Sequence, residues 1–147
     1  MWWILLVLIP FTTMDKPAGK TGDMIVDISN IRVGEGCLRL GIYDTPEAFV
    51  DKNAGGPYGK MIRSLKKTRQ TVVIPDLPYG RYVLALYQDC NDNGKLDTNF
   101  FGVPTEPYAF SNNPGNKWSS PSFADAAITF SPTTPRISLA LRTWKER

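Results

Sequence analysis

Histidine is absent from the 147-residue chain. That removes serine–histidine triads, paired-histidine zinc proteases and mixed cysteine–histidine zinc sites, all of which depend on an imidazole. Two cysteines, Cys37 and Cys90, are too few for a four-thiolate zinc site or an iron–sulfur cluster. Charge of one sign is also scarce, since 17 Lys and Arg against 14 Asp and Glu leave a net +3. So mild a surplus gives no electrostatic footprint for nucleic acid. The longest apolar run, Met1 to Phe11, reaches about half of a bilayer core at about 1.5 Å per residue. The chain therefore contains no run long enough to be a membrane-spanning helix.

Met1 to Phe11 is uncharged and almost wholly apolar, as is the central part of a secretory signal. No Lys or Arg precedes it and no clear Ala-x-Ala site follows, so cleavage near Thr13 and near Ala18 both remain open. Residues 1–18 are read as a signal peptide, 19–23 as a linker and 24–143 as one domain. The mature protein is then secreted or periplasmic. Removing 1–18 takes Asp15 and Lys16 together and leaves the charge at +3. In an oxidising compartment Cys37 and Cys90 could close a loop of about 50 residues, worth about 3–4 kcal/mol. Spacing alone cannot show that their Cβ atoms meet, and two free, half-buried thiols are the alternative.

Twelve Gly, 12 Pro and 12% aromatics suit an all-β domain better than a helical bundle. Met24 to Val33 reads as a strand with Val26 and Ile28 on one face, opposite Asp27 and Ser29. Gly34-Glu35-Gly36 then points to a hairpin into Cys37 to Tyr43, where Leu38, Leu40 and Ile42 face inward and Arg39 and Gly41 outward. Asp44 to Gly59 reads as loop with one short turn, because Ala54-Gly55-Gly56-Pro57 forbids a long helix. Lys60, Arg63, Lys66, Lys67 and Arg69 form the basic cluster, read as a solvated edge rather than a phosphate site. Further strands fall at Gln70 to Pro75, Arg81 to Gln88, Ala126 to Phe130 and Arg136 to Arg142. Arg81 to Gln88 is apolar on both faces, as a central strand is. About seven short strands predict a single small β-sandwich, transthyretin-like or Ig-like.

The long stretch from Asp89 to Gly115 has no periodicity, and loops of that length usually carry function. It opens with Asp89-Cys90-Asn91-Asp92-Asn93-Gly94-Lys95-Leu96-Asp97. Oxygen-bearing side chains stand at positions 1, 3, 5 and 9 of an EF-hand-like loop, with Gly at 6 and Leu at 8. Alternate residues of a tight loop point inward, so Asp89, Asn91 and Asn93 can converge on one hard cation. The Lys95 carbonyl is the next expected ligand and Asp97 binds directly or through water. Position 12 is Phe100 rather than the bidentate Glu, and Glu106 is the one Glu between Glu47 and Glu146 able to complete the shell. With so few carboxylates the expected cation is Ca²⁺ held weakly, at about 10⁻⁴–10⁻³ M. The metal-free reading is an Asx-rich turn held by its own hydrogen bonds.

Pro78-Tyr79-Gly80-Arg81-Tyr82, the 89–97 loop, Gly102-Val103-Pro104-Thr105-Glu106 and Phe110-Ser111-Asn112-Asn113 occur in one order. In this the sequence closely resembles an uncharacterised family of exported bacterial proteins, domain of unknown function 2141, over roughly Met24 to Arg142. The resemblance implies a small secreted or periplasmic transthyretin-like sandwich with no established activity. Glu106 matches a family Glu, which supports a part in ordering the loop. Gln88 stands where the family usually shows His, and Cys90 where an acidic or polar residue is common. A catalytic role for that His is lost here, whereas a binding or structural role survives.

Three functions follow. The first is a non-enzymatic module whose loop is ordered by Ca²⁺, presenting Phe100, Phe101, Tyr108 and Phe110 to a protein or glycan partner unless those rings form the loop's own small core. The second is a carbohydrate-binding module with Trp118, Tyr108 and Phe110 as a stacking platform. The third is a hydrolase built on Asp89, Asp97 and Glu106. Cys90 has no His to form its thiolate.

Overall fold

The computed structural model describes residues 19–51, 58–115 and 119–146. The signal-peptide reading over 1–18, the Ala54 to Pro57 breaker and Trp118 lie outside the described residues. Among those described, eight strands form two sheets. Strands β1 (Thr21–Ser29), β4 (Arg69–Pro78) and β8 (Arg136–Ala140) make a three-stranded sheet in the order β4-β1-β8, with β1 antiparallel to β4 and parallel to β8. Strands β2 (Cys37–Tyr43), β3 (Lys60–Ile62), β5 (Gly80–Asp89) and β6 (Tyr108–Phe110) follow the order β3-β2-β5-β6 in the second sheet, and β7 (Ile128–Phe130) also pairs with β5.

Period-2 alternation builds the core between the sheets. Met24, Val26 and Ile28 of β1 pack with Leu38, Leu40 and Ile42 of β2 and with Tyr82, Leu84 and Leu86 of β5, all nearly or fully buried. The other face of the five-stranded sheet is covered as well. Helices α1 (Pro46–Val50) and α2 (Phe123–Ala126) bring Phe49 and Ala126 against Tyr43 and Val83 in a second cluster. Burial on both faces is why β5 reads as a central strand. Thr45 caps α1 through its side chain, and Ser122 with Asp125 forms a capping box on α2.

The predicted hairpin between β1 and β2 does not form. Both edges of β1 are taken by β4 and β8, and both edges of β2 by β3 and β5, so residues 30–36 cross from one sheet to the other. The glycine signal was a turn without a pairing: Gly34 and Gly36 have φ of 77° and 59°. At Gly36 an added Cβ would lie 1.8 Å from the Asp89 carbonyl oxygen, so no side chain fits where this crossover meets the end of β5. The 19–23 linker is also corrected, because Thr21 and Gly22 already pair with Pro78 and Leu77. Strands β3 and β6, three residues each, were missed for want of any period to read in so short a run. The basic stretch is an edge: Lys60 donates to the Val73 carbonyl of β4 at 3.1 Å and Arg63 pairs with Asp92. Among the described residues no helix is long and apolar enough to cross a membrane.

One edge of β5 is shared, with β7 along Gly80 to Tyr82 and β6 along Ala85 to Tyr87. Ser111 bridges the gap. Its buried hydroxyl accepts the Leu84 N–H at 2.9 Å and donates to the Ala126 carbonyl at 2.6 Å. Ser111→Ala strands both buried backbone groups and is expected to cost about 1–3 kcal/mol. Urea unfolding checks this; a variant as stable as the parent would show that the hydroxyl bridge contributes nothing.

Candidate functional site

The loop between β5 and β6 starts from an anchor. Asp89 is the last residue of β5, opposite Cys37 of β2, and its carboxylate is fully buried. Arg39 Nε, two residues along β2 on the same face, donates to Asp89 Oδ2 at 2.7 Å. The loop's own backbone supplies the other partners: Asn93 N–H donates to Oδ1 at 3.0 Å and Gly94 N–H to Oδ2 at 2.8 Å. Burial pushes the Asp89 pKa up, but the Arg39 guanidinium and the two N–H groups outweigh it, and the carboxyl titrates below its ordinary value.

Two further contacts hold the loop to the sheet. Asp92, at φ 54°, accepts from Arg63 at 2.7 Å and from Arg39 Nη2 at 3.2 Å, and the hydrogen bond from Arg63 comes first in holding its pKa down. Tyr87 hydroxyl donates to the Gly94 carbonyl at 3.2 Å, and Gly94 itself needs φ 82°. Cys37, Asp89 and Asp92 bring a sulfur and two carboxylate oxygens within 4.8 Å of one another. That trio is an ion-pair network, since Arg39 bonds to both carboxylates and the Cys37 thiol donates to Asp92 at 3.4 Å. Burial pushes the Cys37 thiol pKa up, as it does that of Cys90. Both thiols are free, so of the two cysteine readings the unpaired one holds.

Of the sequence-predicted ligands, Asn91, Asn93 and Asp97 meet directly. Asn91 Nδ2 donates to Asp97 Oδ2 at 2.6 Å and Asn93 Nδ2 to Asp97 Oδ1 at 2.8 Å. Lys95 N–H donates to Asn93 Oδ1 at 3.0 Å. Asp89 touches this group only through the Asn93 backbone. Glu106 is placed differently from the expected ligand shell. It is 5% exposed, and its Oε1 accepts the Cys90 N–H at 2.8 Å while Oε2 accepts the Asp97 N–H at 3.0 Å. It thus ties the two ends of the 89–97 loop together. The donor set of Asp89, Asn91, Asn93 and Asp97 is all oxygen and suits a hard cation, with the arginine on Asp89 as a competing positive charge.

Beyond Asp97 the chain turns on Asn99, whose Oδ1 accepts the N–H groups of Phe101 and Val103. This leaves Phe100 and Phe101 97% and 84% exposed, while Tyr108 is buried and Phe110 half-buried, packed edge-to-face on Phe49. The four rings therefore split between surface and core. Sequence reasoning missed Arg39, Arg63 and Asp92 as site residues. The signal for Arg39 was its outward place on β2, but its meeting with Asp89 depends on the β2–β5 register.

The family described as an uncharacterized protein conserved in bacteria, domain of unknown function 2141, matches residues 26–138. The chain belongs to this family. The match runs from β1 through the loop and into β8, so the Asp89 to Glu106 arrangement lies wholly inside the family domain. No curated protein and no solved structure matches the chain.

The lowered Asp89 pKa has a signed consequence. The folded state binds its proton less readily than the unfolded chain, so the carboxylate contributes stability above its ordinary value of 3.8, and that contribution is lost as pH falls through the lower folded value. Asp89→Asn is expected to cost about 1.5–3 kcal/mol at neutral pH and to flatten the acid limb of the stability–pH curve below about pH 4. Chemical unfolding from pH 7 to pH 2 tests both; parallel curves for the two proteins contradict the assignment.

Proposed function

We propose that this chain is a non-enzymatic exported β-sandwich module whose 89–97 loop takes up Ca²⁺. The observation that carries the reading is the convergence of Asn91 and Asn93 on the Asp97 carboxylate, at 2.6 and 2.8 Å, in a loop already folded around Asp89. A cation in that place asks each amide to turn its oxygen inward, giving up the Lys95 N–H bond to Asn93 Oδ1 at 3.0 Å and the Asn93 N–H bond to Asn91 Oδ1 at 3.3 Å in exchange for the ion. Asp89, Asn91, Asn93, the Lys95 carbonyl and Asp97 would hold it, with Glu106 ordering the loop from behind. The ion supplies positive charge to neutralise Asp97 and fix the loop. Export rests on the apolar Met1 to Phe11 run.

The hydrolase reading is disfavoured by how the carboxylates are spent. A glycosidase needs one acid with a raised pKa, whereas Asp89 is lowered and Glu106 has both oxygens on backbone N–H groups. Cys90, with a raised pKa, is a poor nucleophile at neutral pH.

With a Kd of about 10⁻⁴–10⁻³ M, 10 mM Ca²⁺ stabilises the folded state by about 1.4–2.7 kcal/mol. Calorimetric titration and thermal melting in 10 mM Ca²⁺ against chelator read this directly. Asp97→Asn is expected to abolish most of the Ca²⁺-dependent shift while the metal-free protein still folds. No heat and no shift for the parent protein would end the Ca²⁺ reading.

A further inference from the structure

A groove of about 1100 Å³ runs between the loop segment 96–105 and the C-terminal turn around Trp144–Glu146. It is large for a small-molecule site, where about 300–1000 Å³ is usual. Two features of its lining select a ligand class. The first is aromatic: Phe101, Tyr108 and Trp144 all contribute to its surface. Tyr108 comes from β6, Phe101 from the Asn99 turn and Trp144 from the terminal 3-10 helix, so three separate segments bring rings to one groove. The second is charge of both signs. Among the described lining residues Arg32 and Lys145 are positive and Glu146 is negative. Arg32 is paired outside the lining with Glu35 at 3.9 Å, and Glu146 Oε2 accepts from the Thr143 N–H and hydroxyl.

Each alternative chemistry meets a specific obstacle. An acyl chain gains nothing from desolvating a lysine and a glutamate. An anionic ligand finds a surplus of one positive charge, and the arginine that makes it is already paired with Glu35. A neutral, ring-shaped, polyhydroxylated ligand meets what it needs, namely aromatic surface for its apolar C–H faces and charged hydrogen-bonding groups of both kinds for its hydroxyls. We infer that this groove binds a short neutral oligosaccharide, with Phe101 and Trp144 as the stacking residues. The inference rests on reading the chain as a binding module and not on that module's Ca²⁺ site. Among the described residues, Trp144 is the tryptophan that lines the groove.

The test is calorimetric titration of the mature protein with maltohexaose, cellohexaose and chitohexaose at millimolar concentration, each in Ca²⁺ and in chelator. Saturable binding of at least one, weakened about tenfold by Trp144→Ala and by Phe101→Ala, is the expected result. Phe101 is 84% exposed, so its truncation leaves the core intact and keeps the test decisive if the Trp144 variant folds poorly. Absence of heat with all three sugars overturns the ligand class, and binding indifferent to Phe101→Ala overturns the site. Failure of the Ca²⁺ reading shows separately, as an absent Ca²⁺ heat in protein that still binds sugar.

Discussion

The buried Asp89 carboxylate is where strand, loop and neighbouring strand are joined. It ends β5, accepts from Arg39 of β2, and folds the loop back by accepting the N–H groups of Asn93 and Gly94. A buried carboxylate without partners would neutralise or destabilise its surroundings. Here three donors meet it, so the charge persists and the first turn of the loop follows from satisfying it. The left-handed conformations at Asp92 and Gly94 are what allow both N–H groups to reach one side chain.

The charges around the loop bear on how strongly the proposed site would hold a cation. Asp89 and Asp92 are met by Arg39 and Arg63, and Glu106 by two backbone N–H groups. Among the described residues Asp97 has amide donors in place of a positive partner at its carboxylate. A divalent ion arriving there meets one carboxylate free of a guanidinium, beside two arginines that repel it. On these grounds the proposed site belongs at the weak end of the Ca²⁺ range, suited to a medium in which the ion is abundant. The same internal pairing lets the loop keep its shape before any ion arrives.

Alternation made three long apolar strands legible. Val26 and Ile28, Leu38 through Ile42, and the two-faced run Tyr82 to Tyr87 report their faces at two-residue intervals, and the sandwich follows. Pairing was not legible, because Gly34 and Gly36 announce a turn without saying which sheet the chain enters next. In the loop the Asx spacing pointed to Asp89, Asn91, Asn93 and Asp97 as one group, of which Asn91, Asn93 and Asp97 meet through their side chains while Asp89 is taken up by Arg39 and the loop backbone. Glu106 was legible as belonging to the loop but not as a clamp on its backbone, since a carboxylate near a ligand set reads the same in either role. Arg39 was invisible as a partner of Asp89 for the reason that the expected hairpin failed: pairing and register between strands distant in sequence are set by the whole sandwich.

Gln88 gives the missing histidine a structural meaning. Its fully buried amide accepts the Arg32 N–H at 2.9 Å and donates from Nε2 to the carbonyls of Arg32 and Glu35 at 2.7 and 2.8 Å. Three backbone groups of the 30–36 crossover are thereby satisfied by one side chain standing next to Asp89. A neutral imidazole offers one donor and one acceptor, and a protonated one two donors. Either form leaves at least one of these three groups unmet, and the protonated form adds a buried charge. The amide at position 88 therefore suits a crossover packed tightly enough that Gly36 has no room for a Cβ against the Asp89 carbonyl. The residue that bars imidazole chemistry from the loop is the one that fixes the crossover above it.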